Sequence, residues 1–499
     1  MNTAPVVPSS DKKPAASPGR QIRFMHGLAV ATFVISICFA AVGAFAQRFD
    51  RNRDGGGGGG DLTTLDPGPR VGFTATGNPT YPNNPGDPVA GLTVEQLAFF
   101  ANGSSQFTEV EGVALTSPGN GGLGPAYNND SCGGCHSQPS TGGSSPSTSA
   151  FPNVGPNPQF TAGQVANGTN TIPFFVTADG PVREARFKSD GGVHDLFTIQ
   201  GRTDTPSTNN CTMTQPDFAA EAARGNLTFR IPTPVFGDGL IENISEDTIM
   251  ANLAASASPQ LGIAGVPNRS GNDGSITRFG WKAQNKSLII FAGEAYNVEM
   301  GITNELFPTE RGYPSSPVPA SCLVNPTPED RTIFEATTPV SVSSDVDAFA
   351  EFMRFLDQPI PACTGTGCSP QIQSGAATFV AVGCARCHTP SLTTSISDTA
   401  PGLSQVRANL FSDLALHHMG ANLADGITQG NAGPDQFRTA PLWGVGQRVF
   451  FLHDGRTSNL YRAIEEHAGP GSEANRVTDN YNQLSRQDKQ NLILFLRSL

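Results

Sequence analysis

Two five-residue stretches carry the densest chemistry in the chain: Cys132-Gly133-Gly134-Cys135-His136 and Cys384-Ala385-Arg386-Cys387-His388. Two thiols three positions apart on a tight turn can each add to a vinyl group on one edge of a porphyrin, and the adjoining imidazole then swings beneath the ring to bind iron. Cys-x-x-Cys-His is accordingly the attachment signature of c-type haem. A thioredoxin-like redox pair or half of a zinc site would use the same cysteines, but neither explains the His that follows directly, and neither needs it twice. Two covalently bound haem c groups are therefore expected. Cys132, Cys135, Cys384 and Cys387 would be the thioether donors, and His136 and His388 the iron ligands. Calcium is not readable from the sequence.

A haem iron needs a sixth ligand or a deliberate vacancy, and that choice separates electron carriers from catalysts. His467 is the candidate for the second haem. It ends a helix-like run from Leu460 and lies 79 residues after His388, enough chain to fold over the ring and return; the competing reading is a capped surface histidine near Gly469. His194, 58 residues after His136, is the candidate distal ligand or gate of the first haem, with Gly191-Gly192 letting it move. A loop histidine bonded to backbone is the rival reading. His417 and His418 follow an apolar stretch near a haem edge, and His453 sits in Phe450-Phe451-Leu452-His453-Asp454-Gly455-Arg456. Trp281 and Trp443 are the only tryptophans; one is a candidate electron relay between the haems, against core packing for both.

The elements that must position these residues begin after a distinct leader. Lys12, Lys13, Arg20 and Arg23 precede an uncharged apolar run of 20 residues, Gly27 to Ala46, ending Ala44-Phe45-Ala46. Residues 1–46 read as a secretory signal peptide and imply the periplasm; the length of the run keeps an uncleaved membrane tether open. Export also means an oxidising compartment, in which the four cysteines left over, Cys211, Cys322, Cys363 and Cys368, tend to pair. Three pairings are open; the short Cys363–Cys368 loop can close locally, which leaves Cys211 with Cys322.

Residues 47–90, with six glycines at Gly55 to Gly60, lack hydrophobic periodicity and read as a flexible Gly/Pro-rich tether. Thr93 with Gln96 caps an apolar helix from Val94 to Ala101. Ser344 with Asp347 caps a helix whose Phe349, Phe352, Met353 and Leu356 share one face, and Ser485 with Asp488 caps another with Leu492, Phe495, Leu496 and Leu499. Ser369-Pro370 starts a helix running to Gly383. The middle is loop-rich, with strand-like pieces at Leu196 to Ile199 and Leu288 to Phe291. Thr233-Pro234-Val235-Phe236-Gly237-Asp238-Gly239 is echoed by Ala440-Pro441-Leu442-Trp443-Gly444-Val445-Gly446, so the chain reads as two versions of one unit.

Gly and Pro, 56 and 40 of 499 residues, exclude a coiled coil or helical solenoid and call for long loops over compact units. The net charge of −12, falling to −15 once the leader with its four basic residues and one acidic residue is removed, argues against nucleic acid and for a basic partner protein.

Taken together, Gly122-Leu123-Gly124-Pro125, the first haem motif, Gly191 to His194, Arg230 to Pro234 with Gly239 to Glu242, Arg278 to Ala283, Phe352 to Leu356, Ser412 to His417 and Phe437-Arg438 with His453 to Gly455 resemble the dihaem oxidoreductase family of peroxidases. That family is related to bacterial dihaem cytochrome c peroxidases and MauG-like proteins. The resemblance implies a mainly α, loop-rich fold of two cytochrome c-like domains. The first, residues 91–362, would be enlarged by insertions with short β elements; the second would span 363–499. It also implies haems close enough to exchange electrons. The related peroxidases carry Met where this chain has His467, and bis-His ligation by His388 and His467 would give the second haem a lower potential. Glu242 is the candidate distal acid, able to move a proton during O–O cleavage. The expected function is a periplasmic oxidoreductase that reduces hydrogen peroxide with electrons from a small redox protein such as a basic cytochrome c. The alternatives are a non-enzymatic electron-transfer cytochrome and a MauG-like oxidase acting on a protein or organic substrate.

Overall fold

Thr93 accepts a hydrogen bond from the Gln96 N–H at 3.2 Å while the Gln96 side chain accepts from the Thr93 N–H at 3.0 Å, and this reciprocal cap starts helix α1, Val94–Thr108. The helix runs seven residues past the expected Ala101 because Phe107, beyond that point, is buried in the core. The computed structural model describes residues 66–70, 85–116, 120–146, 156–165, 170–206, 210–312 and 317–499, all within one unit, Gly56–Leu499. The leader and the glycine run Gly55 to Gly60 lie outside the described residues. Among those described, no helix is long and apolar enough to cross a membrane.

The remaining principal helices follow from their caps. Helix α2, Leu288–Met300, begins at Ser287 and ends at Gly301, whose φ of 72° supplies the left-handed stop. Its first four residues, Leu288 to Phe291, read as a strand in isolation; the Ser287 cap and the Ala292, Glu294 and Ala295 that follow make them helical instead. Helix α3, Asp345–Phe355, is capped by Ser344; α4, Pro370–Val382, by Ser369 with Pro370 in its first turn; α5, Leu460–Glu465, by Asn459; and α6, Arg486–Ser498, by Ser485.

These helices repeat one arrangement. On α1, Gly103 lies so close to α3 that a Cβ there would strike the Ala348 carbonyl; on α4, Gly375 lies equally close to the Asn491 carbonyl of α6. Aromatic pairs lock both crossings, Phe107 with Phe352 at 4.9 Å between centroids and Phe379 with Phe495 at 5.5 Å. The echoed segments repeat in space as well. Gly237 and Gly444 adopt φ of 68° and 70°, and two residues on Gly239 meets the Arg354 carbonyl of α3 as Gly446 meets the Arg497 carbonyl of α6.

Strands are short. The largest sheet is antiparallel, with β1, Glu184–Phe187, between β2, Val193–His194, and β3, Leu227–Arg230; Ala185 pairs with His194 and Glu184 with Arg230. A further ladder joins β4, Leu416–His418, to β5, Gln436–Arg438. The fold is thus mainly α, with a large apolar core beneath α1 to α3 and a smaller one between α4, α5 and α6. Disulfides join Cys211 to Cys322 and Cys363 to Cys368, and the four motif cysteines stay unpaired.

The tether expectation needs correction at both described stretches. Asp66 is buried and bonded to the equally buried Arg497 on α6, 2.8 Å at each oxygen, and accepts from the Leu460 N–H at 2.7 Å. Val89 donates to the Phe355 carbonyl at 2.8 Å. The ties are polar and to backbone, so hydrophobic periodicity gives no sign of them. Replacing Asp66 by Ala leaves a buried guanidinium without its anion and is expected to lower stability by about 3–5 kcal/mol in denaturant unfolding, whereas Glu335→Ala at an exposed position should change it little.

Candidate active site

Each motif follows a helix and opens onto a cavity. In the N-terminal half, His136 packs at 5.8 Å from Phe107, the aromatic of the α1–α3 crossing; in the C-terminal half, His388 packs at 6.4 Å from Phe379, its counterpart at the α4–α6 crossing. The histidines are oriented alike. Nδ1 of His136 donates to the Gly143 carbonyl at 3.1 Å, and Nδ1 of His388 to the Phe411 carbonyl at 3.0 Å. Burial pushes both imidazoles down to about 4, so both are neutral with Nε2 as the remaining lone pair, the form that binds a metal.

The C-terminal cavity is lined by Cys384, Cys387, His388 and His467, with 1450 Å³ of space between atoms including its mouth. His467 donates from Nδ1 to the Ala463 carbonyl at 2.7 Å, and burial lowers its pKa too. The neutral imidazoles of His388 and His467 and the two thiols around one apolar space fit a c-type haem, which these four residues would hold. The N-terminal cavity, 1070 Å³ by the same measure, is lined by Cys132, Cys135 and His136, which fit haem attachment as well. Among the described residues no second histidine lines the N-terminal cavity. Its lining also includes Glu184, Arg186 and Glu299.

Those carboxylates form a bonded pair. Glu184 is held ionised, against its burial, by Arg186 and Arg230, while burial and the neighbouring Glu184 and Asp195 push Glu299 well above the usual carboxylate range. One proton is shared, and it sits on Glu299. The pair escapes a reading of the sequence because β1 and the end of α2 are 115 positions apart. The Arg186 two places after Glu184 on a short strand is the sole local hint.

Two expected site residues are elsewhere. His194 lies on β2, stacked on Phe187 at 3.6 Å with Nε2 bonded to Asp190 at 3.1 Å, and lines neither cavity. Glu242 accepts from the Leu288 N–H at 3.0 Å and from Arg354 Nε at 2.8 Å, so it clamps the start of α2 to α3 and also lines neither cavity. Both corrections have one cause: a polar residue near glycines can equally complete a turn or a helix start.

Trp281 lines both cavities, its Nε1 donating to the Ile231 carbonyl at 2.8 Å; Trp443 is buried against Gly237 and lines neither. Beside Trp281, buried Lys282 contacts Asp425 at 3.1 Å and lies over the Phe437 ring at 4.1 Å, and Arg230 reaches the same Asp425 at 2.7 Å. His453 is stacked on Phe437 at 4.3 Å and lines the C-terminal cavity. His417 is clasped by Asp413 at 2.9 Å and Glu473 at 2.8 Å. Burial opposes its charge, but these bonds and one to Cys387 prevail and raise its pKa to about 12. Cys387, Asp413 and His417 have donor atoms within 4.8 Å of one another, yet both nitrogens of His417 are already engaged. His418 is exposed and bonded to Asp435.

Two attachment motifs, each opening on its own cavity, define a two-haem redox protein. The chain belongs to the family described as "Di-haem oxidoreductase, putative peroxidase", whose model matches residues 190–499; it is an oxidoreductase. Among solved structures it is similar to a MauG-like protein associated with microbial copper homeostasis, at 15% identity over 52% of this chain and 91% of that one, TM-score 0.27. It is also similar to the diheme peroxidase BthA from Burkholderia thailandensis, at 14% identity over 51% and 86%, TM-score 0.26. No curated protein matches.

With His467 lining the same cavity as His388, His467→Ala is expected to convert the C-terminal haem from low to high spin in the ferric absorption and EPR spectra. His194→Ala should leave both haem spectra unchanged.

Proposed function

We propose that this chain is a periplasmic dihaem c-type cytochrome that reduces hydrogen peroxide with electrons from a small basic redox protein. It would comprise two cytochrome c-like domains, residues 91–362 and 363–499. The observation that carries the reading is the asymmetry of the cavities, one lined by His388 and His467 among several histidines, the other by His136 alone together with Glu299, a carboxylic acid that keeps its proton. When bound, haem supplies the iron redox chemistry in each.

The N-terminal cavity is the substrate side. Glu299 holds a proton and is placed to give it to the oxygen that leaves as water when the peroxide O–O bond breaks, the task of a general acid. Glu184, ionised and fixed by Arg186, takes part in returning a proton to Glu299. The C-terminal cavity is the electron-storing side, where His388 and His467 would both hold the haem iron, which would supply electron storage there and leave no site for substrate. Trp281, facing both cavities, is the packed bridge between them. A mature net charge of −15 favours a basic donor, with association that weakens as salt screens it.

Glu299→Gln in the two-haem protein is expected to lower peroxide turnover by about 10²–10⁴-fold with haem content unchanged. Glu242→Gln, outside both cavities, should stay within a few-fold of wild type. A general acid works only while protonated, so wild-type turnover should fall as pH rises through the raised pKa of Glu299, and the Gln variant should lose that limb. Equal losses in the two variants would contradict the assignment.

A further inference from the structure

Arg448 lies 5% exposed on the wall of the C-terminal cavity, and the N–H groups at its Nε and Nη2 meet no acceptor. No carboxylate acts on it among the described residues. Burial alone does, bringing it down to about 10, so it remains a cation at neutral pH. Arg438 lines the same cavity, is also buried, and has an Nε without a partner. Its Nη1 donates to the Arg278 carbonyl at 3.0 Å, and Asp238 acts on it through charge.

The N-terminal cavity shows what a matched arginine looks like. There Arg186 is bonded to Glu184, and Arg230 to Asp425 at 2.7 Å. A buried guanidinium with unmade bonds and no counter-ion is strongly destabilising. The missing acceptor must therefore be an anion that enters with whatever fills the cavity. Haem carries two carboxylates on its propionate arms, opposite the edge that bonds to cysteine.

We propose that Arg448 and Arg438 form a carboxylate-binding pair that takes the propionates of the C-terminal haem in ionised form, through charge-assisted hydrogen bonds. The pairing rests on the reading of this cavity as a haem site. Its consequence is electrical. Two guanidinium charges offset the negative propionates, which would otherwise favour the ferric state, and so raise a potential that bis-His ligation holds low. Arg448 is a positioning residue that acts on the iron through the porphyrin.

The test uses the full two-haem protein with Arg448→Gln, Arg438→Gln and Arg448→Lys, reading haem count per chain and the midpoint potential of each haem. Each Gln variant is expected to keep two haems and to shift the reduction equilibrium of the C-terminal haem at least tenfold toward the ferric form, about 59 mV downward for one electron. The Lys variant, which keeps the charge, should stay within about twofold by the same measure. Loaded Gln variants whose potentials do not move would overturn the pairing. Wild-type protein with one haem per chain and free thiols at Cys384 and Cys387 would instead overturn the haem reading of this cavity. Should the Gln variants fail to fold, wild-type protein carrying ¹³C-labelled propionates decides by infrared: ionised carboxylate bands that shift in Arg448→Lys support the pair, and protonated-acid bands overturn it.

Discussion

The close crossing of two pairs of helices governs where everything else falls. Gly103 lets α1 lie against the backbone of α3, and Gly375 lets α4 lie against that of α6; any side chain at either point would drive the helices apart. The aromatic residues that lock these crossings, Phe107 and Phe379, also pack against His136 and His388. Helix contact and imidazole placement are thus one constraint. Gly239 and Gly446, pressed against the last turns of α3 and α6, extend it to the segments that close each half.

On this common frame the two cavities diverge in charge. The N-terminal one keeps its arginines neutralised by Glu184 and Asp425 and retains a proton on Glu299, so its polar groups are balanced and poised for acid chemistry. The C-terminal one combines the neutral His388, His453 and His467 with two arginines whose bonds are incomplete, a balance that an anionic ring would restore. Lys282, Asp425 and Arg230 tie the halves together next to Trp281, where a slip of position would alter the path between the cavities.

Much of this was legible in the sequence because its signals are local. The two Cys-x-x-Cys-His motifs, the caps at Thr93, Ser344, Ser369 and Ser485, and the pairing of Cys363 with Cys368 all depend on residues within five positions of one another. The echo between residues 233–239 and 440–446 was visible for a physical reason too, since both copies need glycine at a positive φ and at a close approach. What escaped were partnerships across the fold. Glu299 and Glu184 meet only because α2 ends beside β1, and Arg497 finds Asp66 across 431 positions. His194 and Glu242 stood near glycines in the sequence, and in the fold they finish a strand and a helix start instead.

The central claim is that one cavity admits a small ligand to its iron while the other is closed by His467. Titrating the oxidised two-haem protein with cyanide, followed by absorption and calorimetry, measures this directly. The account predicts one cyanide per chain, bound at the N-terminal haem, with the C-terminal spectrum unchanged. Binding of two equivalents, or of none in any redox state, would contradict it.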